Sequence, residues 1–229
     1  MVMAENQPVR CARRRGALAV LLAAVVLWAG AGLAKTKPAQ PKLDDAAIKK
    51  ETEGKTPQER IEILRGWLDE GRASKELYFH LGNAHYEAGD ATQAANSFEQ
   101  AVAQDSTFFK AIVNLGLMYD ELNNAGKAIE TFEMAARLEP NNPDVWSHMG
   151  NTYYTQKDYT KATDLYRKAL ALEPKAVHAL YSLGVAFADA GIFREAVHYW
   201  KRVVELDPQS EIGKNASENV ELLQKYLIP

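Results

Sequence analysis

Residues 109–142 read FKAIVNLGLMYDELNNAGKAIETFEMAARLEPNN, and residues 143–176 read PDVWSHMGNTYYTQKDYTKATDLYRKALALEPKA. Laid one over the other, these 34-residue stretches put Gly116 on Gly150, Ala128 on Ala162 and Pro140 on Pro174. The same interval reaches outward to Gly82 and Gly184, and to Ala94 and Ala196. Tyr78, Ile112, Trp146 and Leu180 stand four residues before the glycines, and Leu81, Leu115, Met149 and Leu183 directly before them. Phe98, Phe132, Tyr166 and Trp200 follow the alanines by four. Pro140, Pro174 and Pro208 close the last three copies, whereas the first has Ser106 there. A period of this length means one supersecondary unit repeated, here over 75–108, 109–142, 143–176 and 177–210.

Within a unit, apolar residues recur three and four apart on both sides of a polar break. In the second unit these are Ile112, Leu115 and Tyr119, then Ile129, Phe132 and Ala135, around Asn123-Asn124. That is the pattern of two amphipathic helices joined by a turn. Asp90, Asn124 and Asp158 precede the second helices, where a short polar side chain caps free N–H groups. Ile192 in the fourth unit predicts a weaker start. The glycine and alanine columns predict close helix crossings, and the prolines predict helix ends.

These columns resemble the tetratricopeptide repeat over residues 75–210. The resemblance implies an all-α, right-handed α-solenoid of four helix-turn-helix units, with capping helices at both ends. A single hairpin leaves an apolar face uncovered, so neighbours must stack and the ends need covers. At the amino-terminal end, Thr56-Pro57-Gln58-Glu59 has the form of a capping box. Ile61, Leu64, Trp67 and Leu68 then predict a covering helix within 56–74. At the other end, 211–229 predicts a cap that turns Val220, Leu223, Tyr226 and Leu227 inward.

The amino terminus has a different character. Arg10, Arg13, Arg14 and Arg15 precede an uncharged run from Gly16 to Ala34, and small residues follow its apolar heart. Residues 1–34 therefore predict a secretory signal peptide or an uncleaved signal anchor. Either places the repeats outside the cytoplasm, in the periplasm or anchored at the inner membrane. Residues 35–55, with Pro38, Pro41 and many charges, predict a flexible linker. The only cysteine, Cys11, lies ahead of the apolar run, so a processed chain has no thiol for a disulfide or metal. Residues 1–34 carry four arginines and one glutamate, so the remainder holds 23 basic and 29 acidic side chains, a formal charge of −6. Such an acidic body without basic clusters argues against nucleic-acid binding. Arg167-Lys168 and Lys201-Arg202 read as isolated pairs on solvated outer faces.

Chemistry-bearing motifs are missing from the sequence. It has no phosphate-binding Gly-rich loop, no His-Glu-x-x-His pair and no nucleophile elbow. His148 and His178 lie on successive first helices, but no third ligand accompanies them. The expectation is no catalytic residue, no metal and no cofactor. The resemblance implies instead that the first helices line a concave groove which receives a peptide. Its candidate contacts are Phe79, Asn83, Tyr86, Lys110, Asn114, Asn151, Tyr154, His178 and Tyr181. Asparagine amides both donate to and accept from a backbone, and aromatic rings suit a partner's anchors. Tyrosines at helical spacing pack against a neighbouring unit at least as readily. The clamp that holds chaperone carboxyl termini is not matched, because Phe79 replaces its first lysine and Asp144 and His148 replace its basic pair. The expected function is a non-enzymatic scaffold binding another protein in an envelope complex. The alternative is a self-associating module that pairs through Trp67 or the last helix.

Overall fold

The computed structural model describes residues 43–226. The expectations about residues 1–34 lie outside that range. The described chain is helical, with no strand among the described residues. Two helices, α1 (Asp45–Thr52) and α2 (Pro57–Asp69), precede the repeats. The four units follow as α3 (Lys75–Glu87) with α4 (Ala91–Gln104), α5 (Phe109–Glu121) with α6 (Ala125–Leu138), α7 (Pro143–Thr155) with α8 (Tyr159–Leu172), and α9 (Val177–Asp189) with α10 (Phe193–Leu206). Helix α11 (Glu211–Tyr226) ends the stack. Each helix packs on the next in chain order from α2 onward, the pattern of a solenoid.

The ends of the helices follow their local chemistry. Asp90, Asn124 and Asp158 accept from the backbone N–H groups of Gln93, Lys127 and Lys161 at 2.9, 3.3 and 3.2 Å. Ile192 makes no such bond. Thr56 and Glu59 complete the capping box in both directions. Residues Glu139, Glu173 and Asp207, each just before a proline, leave the helical conformation, because proline excludes it from its predecessor. The first unit, lacking the proline, stops in the same register, at Asp105. That carboxylate takes Lys75 Nζ at 2.6 Å and the Thr107 hydroxyl at 2.7 Å. These bonds, the lysine's first, hold Asp105 down to about 2.

The glycine columns have a more specific role than helix approach to alanine. Each glycine seats the ring of the aromatic column sixteen residues on. A Cβ at Gly82, Gly116, Gly150 or Gly184 would lie 2.5–2.7 Å from Phe98, Phe132, Tyr166 or Trp200 respectively. The alanines are themselves fully buried, with no exposed surface at Ala94, Ala128, Ala162 or Ala196. The aromatic ring thus lies directly against the glycine of its own unit.

Three expectations need correction. Residues 45–52, within the stretch read as a flexible linker, form a helix. Asp44 caps it through the Ala47 N–H at 2.7 Å, and Ile48 is completely buried with Leu64, Leu77 and Leu81. One buried isoleucine and the α3 contact outweigh the polar composition that suggested a tether. At the other end, Val220 and Leu223 face inward as expected, but Tyr226 is 65% exposed, and Gly213 and Ala216 are buried beside them. Small residues therefore serve the cap too. Finally, the basic pairs are not merely solvated: Lys168 Nζ lies 3.2 Å from the Trp146 ring centre, Arg167 lies over Phe187, and Arg202 donates to the Pro174 carbonyl at 2.9 Å. Cations over aromatic faces of this kind add to the cohesion between units.

Candidate functional site

The first helices α3, α5, α7 and α9 carry the predicted groove residues at equivalent turns, because the repeat keeps each column on one helix face. Asn83 and Asn114 meet across the first two units, where Asn114 Nδ2 donates to Asn83 Oδ1 at 3.1 Å. Asn151 accepts from the buried Tyr166 hydroxyl at 2.7 Å and is otherwise exposed. Tyr154 donates to the Asp189 carboxylate, which together with partial burial pushes the phenol up to about 12. Tyr181 rests against Trp200, and its hydroxyl accepts from Asn219 of α11 at 3.4 Å. Phe79 is half-buried between Phe98 and Phe108, with ring centres 5.8 and 5.2 Å away. Tyr86, Lys110 and His178 are exposed.

These residues gather into separate hollows along the wall. Asn83, Tyr86, Asn114, Leu117 and Glu121 surround a cavity of about 270 Å³ floored by Phe98. Asn151, Tyr154, Tyr166, Ser182 and Val185 surround one of about 230 Å³. Lys110, Val113, Asp144 and His148 line a third, also about 230 Å³, together with Phe79. His178 lines none of these three. His80, beside Phe79 and Asn83 on the same wall, meets Asp45 of α1 at 2.7 Å. Helix α1 thus occupies the amino-terminal mouth of the wall.

At the middle of the wall the polar groups are committed to the fold. Thr152 Oγ1 donates to Asp120 at 2.7 Å, and burial raises the Asp120 carboxyl above its ordinary range. His148 stacks on Phe132, with centres 5.7 Å apart and planes 18° apart. Burial lowers its pKa, against the opposing pull of Asp144. His85 is lowered in the same way, by burial and by the nearby Arg65. Folding therefore favours both neutral imidazoles. Their contribution is complete above the ordinary histidine value near ~6.5 and is lost as pH falls through the folded values. The melting temperature is expected to drop between about pH 7 and pH 5, and His148→Gln to shrink that drop. An identical acid limb in the variant would contradict the assignment.

Among the described residues, no three His, Cys, Asp or Glu side chains are grouped to hold a metal ion. No helix among them is long and apolar enough to cross a membrane.

One regularity escaped the sequence reading. The two similar cavities are related by two units, not one. Asn83, Tyr86, Phe98 and Leu117 become Asn151, Tyr154, Tyr166 and Val185 on adding 68. Read singly, the columns alternate: Asn83, Leu117, Asn151, Val185, and Tyr86, Asp120, Tyr154, Ala188. Comparing every second unit is the signal that finds it.

Tetratricopeptide-repeat signatures match residues 79–143 and 178–210, and a TPR-repeat signature matches 150–191. No curated protein matches the chain in sequence. Among solved structures, a crystal structure of MamA is similar with a TM-score of 0.61 at 23% identity, covering 81% of this chain and 100% of that one. MamA from Desulfovibrio magneticus RS-1, from residue 41 to its end, gives 0.65 at 19%, covering 73% and 95%. YrrB, described as a TPR protein with an unusual peptide-binding site, gives 0.62 at 16%, covering 76% and 88%. At these identities the likeness concerns the fold. Repeat signatures in the register of the glycine and aromatic columns, laid on a stack that those solved proteins share, make this chain a tetratricopeptide-repeat protein.

Proposed function

We propose that the chain is a non-enzymatic scaffold which holds a segment of another protein along the wall formed by α3, α5, α7 and α9. The observation that carries this reading is the run of hollows on that wall, each pairing aromatic or aliphatic surface with amide groups. Asparagine side chains of this kind hydrogen-bond a peptide backbone, while the rings receive its side chains. The unusual peptide-binding site of YrrB supports the same use of the fold. The arginines and apolar run of residues 1–34 support a place outside the cytoplasm, in assembly or localisation of an envelope complex.

The test is affinity capture from the native envelope with the wild-type domain and with Asn83→Ala, Asn114→Ala and Asn151→Ala combined. The triple variant is expected to keep its helical circular dichroism and lose the partner by about tenfold or more, since each lost backbone contact is worth ~0.5–1.5 kcal/mol. Unaltered partner affinity would remove the groove from the account. A second reading, self-association, is favoured by Leu222 and Tyr226, which lie four apart on α11 and are 55% and 65% exposed. A monomer by light scattering at high concentration would dismiss it.

A further inference from the structure

The two equivalent hollows share more than their walls. Glu121 lines the first, and the residue 68 positions on is Asp189, whose carboxylate is bonded to Tyr154 at the second. Each hollow thus combines a tyrosine, an aliphatic side chain and an amide; a carboxylate lines the first directly and adjoins the second through its bond to Tyr154. Between them, the ring equivalent to the two floors, Phe132, is roofed by His148. His148 stands where Asn114 and Ser182 stand in the open hollows. The wall therefore offers two like receptors separated by one closed step.

A long cationic side chain meets all four features of such a receptor. Its stem lies on Leu117 or Val185, its charged head faces the tyrosine ring, and its N–H groups reach the amide oxygen and the carboxylate. The acidic balance of the body attracts the same sign of charge. Resting on the scaffold reading above, we infer that the partner is an extended segment presenting two arginine side chains, one to each hollow. Successive first helices stand no closer than the 8–10 Å of a packed helix pair, so two steps along the wall span at least ~16–20 Å. An extended chain advances about 3.3 Å per residue, which places the arginines about six or more residues apart.

The probes are fluorescein-labelled Gly/Ser peptides with two arginines at separations from about two to nine residues, read by fluorescence anisotropy against the full domain. Matched peptides carry two leucines or a single arginine. Binding is expected to peak at a separation of about six or more and to exceed the single-arginine peptide by about tenfold, as linked sites do. Glu121→Gln and Asp189→Asn should each flatten the peak to the single-arginine level, with helical circular dichroism unchanged.

Affinity that follows arginine number without regard to spacing would reduce the effect to general attraction and overturn the inference. So would tighter binding of the leucine pair. If none of the peptides binds while the captured envelope partner still needs Asn83, Asn114 and Asn151, the paired-arginine inference fails and the scaffold reading stands. If that partner ignores the three asparagines, the scaffold reading itself fails.

Discussion

Gly116→Leu is expected to lower the melting temperature by roughly 5–10 °C, the counterpart of about 2–3 kcal/mol in a domain of this size. A first side-chain carbon at that position already stands 2.5 Å from Phe132 Cε1 and 2.8 Å from Cδ1. Phe132 has nowhere to go, because it is fully buried and roofed by His148. The remaining carbons of leucine have to displace the ring or part α5 from α6. Phe132→Ala alone should cost about 3–5 kcal/mol through the opposite fault, an empty space. Combined, the two changes should cost less than their sum, since the leucine then enters the space the ring has left. Thermal unfolding of the three variants measures that coupling. Strict additivity would mean that Gly116 and Phe132 do not share one site.

Gly213→Ala should detach the carboxy-terminal cap. The added methyl group would overlap the Asp207 carbonyl oxygen and lie 2.9 Å from its carbon. Both are backbone atoms, so no rotamer relieves the clash. The loop is held there by Ser210, which donates to the Asp207 carbonyl at 3.1 Å and accepts the Gly213 N–H at 3.1 Å. A loss of about 1–3 kcal/mol is expected, concentrated at the end of the stack. Hydrogen exchange should quicken in α11 and α10 and remain slow in α5 and α6. Uniform quickening would show that the units open together.

The four units were legible because their columns are steric. A ring that needs a glycine sixteen residues before it leaves the same mark in every copy, whatever surrounds it. The caps at Thr56, Asp90, Asn124 and Asp158 were legible for a similar reason: each bond spans only three residues. Helix α1 was not legible. It spans eight residues, too short to form from its own propensity, and its stability comes from Ile48 entering a cluster with Leu64 and Leu77. No local pattern announces that. The groove fell between these cases. Its columns could be read from the repeat, but its bonds join Asn83 to Asn114, Asn151 to Tyr166 and Tyr154 to Asp189. Such pairings depend on how one unit is turned against the next, which spacing along a single helix does not encode. The same gap explains why Gly213 went unnoticed: it answers to a loop carbonyl and belongs to no column.

The two-unit alternation bears on how such an array lengthens during descent. Its first, second, third and fourth hairpins are not four equals but two couples, each complete only when both members are present. A duplication that inserted a lone hairpin before α11 would extend the wall without creating another hollow of this kind. Doubling a whole couple would furnish a third, in register with the existing pair. A further hollow of the same composition therefore needs hairpins added in even numbers.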